Sequence, residues 1–112
     1  MTIVVNVGNP SALLANIKKA IDSKHIVTWS YDSDGDFTHT PDQWFRKAWL
    51  RPQLAYGELQ FGILGPRGIG VSKLIYGVYH GRFIEMLLTH FDEQFATASA
   101  TAGVTALDRV GI

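Results

Sequence analysis

A β-branched run gives way within three residues to an apolar stripe of helical spacing, and this change of period most restricts the fold. Ile3 to Val7 reads as a strand. Gly8-Asn9-Pro10 breaks it, with Asn9 suited to an N-cap and Pro10 to the first helical position. Leu13, Leu14, Ile17, Ala20 and Ile21 then share one face, opposite Lys18, Lys19 and Asp22. The spacing predicts a helix over 10–23. A strand and a helix each bury one face, so neighbours in sequence are expected to share a core.

Ile26 to Tyr31 reads as a second strand, with Val27, Trp29 and Tyr31 on one face. Ser33-Asp34-Gly35-Asp36 is turn chemistry, and Phe37 to His39 reads as a short return strand. In Thr40-Pro41-Asp42-Gln43, Thr40 suits a cap and Gln43 can close a capping box, predicting a short helix over 41–50 ended by Pro52. Leu59, Phe61 and Ile63 alternate with Glu58, Gln60 and Gly62, the mark of a half-buried strand. Gly65 to Gly70 reads as a wide hairpin tip, and Val71 to Tyr79 as a returning strand apolar on both faces. The last helix is expected to start near Gly81-Arg82, with Ile84, Leu87, Leu88, Phe91 and Phe95 inward. Residues 97–112 turn to Ala, Thr and Ser and read as a tail, a helix extension or frayed, behind a single domain over 1–96. The expected class is α+β: a mainly antiparallel sheet of four to five strands with helices on one face, in the order β-α-β-(β)-α-β-β-α.

Charge and cysteine content bound the function. Lys plus Arg and Asp plus Glu both number 10, so no broad basic footprint exists to neutralise phosphates, and nucleic acid is not the expected partner. Near-zero charge also lowers the barrier to self-association. With no cysteine, thiolate metal sites, disulfides and thiol nucleophiles are excluded. No apolar run is long enough for a membrane span, and the start lacks a basic region ahead of an apolar one, so the expected location is cytoplasmic.

Few local patterns carry chemistry. Asp32, Asp34 and Asp36 alternate as calcium ligands do, but Phe37 stands where an EF-hand needs glycine and Gln43 where it needs glutamate. His39 extends that run toward a divalent-metal set, yet donors this close in sequence make a poor cage, and no metal or other cofactor is expected. The glycines at 62, 65, 68 and 70 match no phosphate-loop pattern, and His90 with Glu93 forms no zinc-protease motif. Tyr79-His80-Gly81-Arg82 falls at the expected strand-to-helix junction, where His80 would serve as acid or base and Arg82 would hold an anion. The aromatic residues Trp29, Tyr31, Trp44, Phe45, Trp49 and Tyr56 either fill the core or line a pocket.

Helix 10–23, strands 26–31, 58–64 and 71–79 and the last helix, taken without the first strand and the short helix, give α-β-β-β-α. That order resembles the double-stranded-RNA-binding domain. The resemblance implies RNA contact through the start of the last helix, but His80 to Glu85 holds one fixed cation, Arg82. The favoured expectation is a non-catalytic binding module taking a small apolar or cationic ligand in an aromatic pocket, with Trp29, Tyr31, Trp44, Trp49, His80 and Arg82 as ligand contacts. A small enzyme using His80 and Arg82 is the alternative. A homodimer is expected through the two-faced strand 71–79.

Overall fold

The computed structural model describes residues 2–103, 105 and 108. Strand β1 (Thr2–Asn6) and helix α1 (Pro10–Asp22) lie where the change of period places them. Asn9 caps α1 by accepting the Ala12 N–H at 3.2 Å. Strands β2 (Trp29–Tyr31) and β3 (Phe37–His39) follow, then β4 (Trp49–Ala55) and β5 (Glu58–Leu64). Helix α2 (Lys73–Phe91) leads to β6 (Thr97–Ala100). The fold is α+β, with one antiparallel sheet in the order β2-β3-β4-β5-β1-β6. It has six strands rather than four to five.

The strand order explains both helices. Four antiparallel steps separate β1 from β2, and two separate β5 from β6, so each linked pair runs parallel and requires a crossover. The near-universal right hand of such crossovers puts α1 and α2 on the same face. There Leu13 and Ile17 of α1, and Tyr79, Phe83 and Leu87 of α2, share one core with Ile3, Val5, Leu50, Leu59, Phe61 and Ile63. Phe83 stands at an aromatic centre, its ring 4.6 Å from Phe61, 5.0 Å from Trp29 and 5.7 Å from Phe37.

Three expected elements differ. The strand expected over 71–79 is the first half of α2. Ser72 caps that helix by accepting the Ile75 N–H at 3.2 Å, and the buried residues Tyr79, His80, Phe83, Met86, Leu87 and Phe91 recur at helical spacing. Gly65 to Gly70 is therefore a strand-to-helix link rather than a hairpin tip, and His80 and Arg82 lie within a helix. The α-β-β-β-α resemblance loses its third strand. The homodimer expectation loses its two-faced strand as well, because the segment is helical: Tyr79 is buried, Ile75 and Tyr76 pack against the core, and Leu74 stays exposed.

The helix expected over 41–50 is a turn followed by β4. Thr40 continues the β2–β3 pairing instead of capping, giving its N–H to the Thr28 carbonyl and its hydroxyl to Val27. Pro41 accepts the N–H groups of Trp44 and Phe45, but Arg46 then takes φ 58°, which stops a helix after one turn. Pro52 sits inside β4 without penalty. Strand β3 pairs with β4 only at Phe37 opposite Leu50, so β4 has a free edge at Pro52.

The third difference is the tail. Thr97–Ala100 pairs with β1, Ala100 opposite Ile3 and Thr97 opposite Asn6, and so belongs to the sheet. Of the rest of that segment, residues 104, 106–107 and 109–112 lie outside the described ones. Asp108 folds back to accept the Ile63 N–H at 2.8 Å.

Gly77 and Gly81 lie on the exposed side of α2, where an added Cβ would meet nothing within 4 Å. A glycine inside a helix costs roughly 0.5–1 kcal/mol relative to alanine. Gly77→Ala and Gly81→Ala are each expected to raise the unfolding free energy by about that amount in urea titrations. A loss of stability from either would show that something packs on this side of the helix.

Candidate functional site

On α2, Arg82, Glu85, Met86, Thr89 and His90 are linked in pairs three or four residues apart, so they occupy one side of the helix. Opposite them stand Pro41, Gln43 and Trp44, held by the turn that replaces the expected helix. Thr28, Trp29 and His39, from the β2–β3 end of the sheet, form the floor. The result is a half-enclosed cleft of about 440 Å³.

The floor is rigid. Trp29 is 1% exposed, with Tyr79 edge-on at 5.6 Å and the His39 ring 4.5 Å away. The wall is tied to the helix by Tyr79, whose hydroxyl donates to the Trp44 carbonyl and lies 3.0 Å from Thr38 Oγ. Thr38 Oγ in turn donates to the Ala48 carbonyl and accepts the Arg46 N–H, so one buried hydroxyl pair organises the whole turn.

His39 is 6% exposed, and its Nδ1 lies 2.7 Å from the Thr28 carbonyl. A carbonyl only accepts, so Nδ1 carries the proton and Nε2 of the neutral ring is an acceptor. Burial pushes the His39 imidazole below its usual range. The Thr28 hydrogen bond opposes this, the Arg82 charge adds to it, and Glu85 counters it. Arg82 and Glu85 approach to 3.6 Å, with side chains 57% and 65% exposed, a pairing worth little in water.

The residues singled out in the sequence scatter. Trp29, Trp44 and Arg82 meet at the cleft, although Trp29 is chiefly a core residue. Tyr31, Phe45 and Trp49 line a separate groove of about 340 Å³ with Arg46. Tyr56 is fully exposed next to Gly57, between β4 and β5. His80 is buried, with Nδ1 2.8 Å from the Tyr76 carbonyl. Two residues apart on a helix, His80 and Arg82 do not face the same way, and no strand-to-helix junction lies there to bring an anion between them. The site thus lacks His80 and gains Glu85, Met86, Thr89, Gln43 and Thr28. The helical spacing of 82, 85, 86, 89 and 90 is the signal that points to them once the helix is known to start at Ser72.

The aspartate turn is largely self-contained. Carboxylate oxygens of Asp32, Asp34 and Asp36 lie within 4.8 Å of one another, without His39. However, Asp32 Oδ1 accepts the N–H groups of Asp34 and Asp36, and both Asp36 oxygens bind the Arg51 guanidinium at 2.8 and 2.9 Å. No helix among the described residues is long and apolar enough to cross a membrane. No family model, curated protein or solved structure shows significant similarity to this chain.

Proposed function

We propose that this chain is a small-molecule-binding module whose ligand sits in the cleft between the 41–44 turn and α2. The observation that carries this reading is the convergence, around about 440 Å³, of Trp44, Met86, His39, Arg82 and Glu85 over a floor fixed by the core. Small-ligand sites have this size and this mixture of an apolar wall with a few polar groups. A flat body would lie against Trp44 and Met86, and its polar atoms would address His39, Arg82 and Glu85. This lining does not suit a purely apolar ligand, because burying unmatched polar groups disfavours binding.

The test is a fluorescence and thermal-shift screen over a varied library of small molecules. Hits should saturate, weaken by up to about tenfold on Trp44→Ala, the scale of an aromatic contact, and be unaffected by Trp49→Phe. Absence of any saturable hit, or hits indifferent to Trp44→Ala, would overturn the proposal.

A further inference from the structure

The cleft fixes the direction of several of its hydrogen bonds. The one proton of the neutral His39 ring is committed to the Thr28 carbonyl through Nδ1, at 2.7 Å, leaving Nε2 as a lone pair. The one hydroxyl proton of Thr89 is committed to the Glu85 carbonyl at 2.7 Å, so Thr89 Oγ can only accept a further hydrogen bond. The ionised Glu85 carboxylate accepts and cannot donate. All three side chains line the same cleft, beside the Trp44 indole. Arg82 is the fixed cation there, but it already leans on Glu85.

Resting on the binding reading above, we infer that the cleft selects ligands with planar N–H donor groups, the amidinium and guanidinium class, over anions of the same shape. Such a group offers its protons to His39 Nε2, Thr89 Oγ and Glu85 while its face stacks on Trp44. A carboxylate of equal size would bring lone pairs against lone pairs at those three atoms, with only the exposed Arg82 to answer it. Arg82 serves the selection indirectly, because its charge disfavours protonation of His39. The titratable or charged groups around His39 are Arg82, Glu85, His90 and Tyr79 on α2. Strand β2 contributes Trp29 and the residue before it, Thr28, neither of them titratable, and Asp42 of the facing turn is exposed.

The discriminating experiment compares benzamidine, benzamide and benzoate, one ring with a cationic donor, a neutral amide and an anion. Binding to the full chain is followed by NMR shifts of the Trp44 indole and the His39 ring. Benzamidine should bind in the millimolar range, about tenfold or more tighter than benzoate, with benzamide between them. Glu85→Gln and Thr89→Val, both at exposed positions where folding is not at risk, should each reduce that preference severalfold. Acidification that protonates His39 turns Nε2 into a donor, so benzamidine affinity should fall on acidification, with the fall displaced below the ordinary imidazole value of about 6.5 because burial lowers the His39 pKa. Equal or tighter binding of benzoate, or benzamidine affinity that rises on acidification, would overturn the inference and leave the cleft as a binding seat. If none of the three compounds shifts the cleft resonances, the selectivity inference falls, and the seat itself is then decided by the library screen and its Trp44→Ala control.

Discussion

Phe83→Ala is expected to lower the unfolding free energy by about 3–5 kcal/mol. The ring is fully buried and touches Phe61, Trp29 and Phe37, which come from three different strands. Truncation removes its transfer free energy and leaves a cavity that rigid aromatic neighbours cannot collapse to fill. A domain of this size has roughly 5–15 kcal/mol in total, so this one change takes a large share. At about 4–8 °C per kcal/mol for a domain of roughly this length, the melting temperature should drop by roughly 12–40 °C. Leu74→Ala, on the same helix but 66% exposed, should stay within about 0.5 kcal/mol of the parent in the same calorimetric scans. Similar losses from the two variants would mean that α2 is not seated on the sheet as described.

Tyr79→Phe keeps the buried ring and removes one oxygen, which separates hydrogen bonding from packing. That oxygen donates to the Trp44 carbonyl and contacts Thr38 Oγ. Without it the Trp44 carbonyl keeps only the Lys47 N–H, at 3.1 Å, and the lost hydrogen bond should cost about 0.5–1.5 kcal/mol. The larger consequence concerns the cleft. The 41–47 turn has little regular backbone bonding beyond the bonds to Pro41 and from Lys47 to Trp44, so Tyr79 is the main tie between this wall and α2. Amide hydrogen exchange should accelerate at Trp44 to Lys47 while β1 and β5 keep their protection, since opening of the turn is local. Cleft ligands should weaken in step. Unchanged exchange in the turn, with stability equal to the parent, would show that the tyrosine hydroxyl does not hold the wall.

How far the sequence speaks depends on the distance over which each decision is made. The cap at Asn9, the alternation of Leu59, Phe61 and Ile63, and the turn at Gly35, where φ is 83°, are settled within about four residues, and all are legible in the chain. The aromatic residues were legible as a group but not as a site. Trp29 was taken by the core and Trp44 by the cleft, because one is on the edge strand β2 and the other on the turn that crosses its end.

Residues 71–79 show the limit of local reasoning. Val71, Ile75, Val78 and Tyr79 favour a strand intrinsically, and Gly77 with Gly81 weakens a helix, so composition misleads there. The helix forms because Tyr79, Phe83 and Leu87 cover the sheet only at helical spacing, and because β5 and β6 run parallel and need a crossover between them. Strand β6 is decided at still longer range. Thr97 to Ala100 is unremarkable in itself and becomes a strand because β1 offers an unpaired edge.

The sequence by itself therefore determined the α+β class, the first helix and the central strand β5, since period and capping act between near neighbours. Only the tertiary structure decided which residues share a site. His39 and Arg82 are far apart in the chain, and they meet because α2 crosses the face of the sheet above the end of β2 and β3. The proton on His39 Nδ1 was likewise not legible, because its partner is the backbone carbonyl of Thr28 on the neighbouring chain segment. A backbone carbonyl has no sequence signature, so the polarity of the cleft emerges only once the strands are paired.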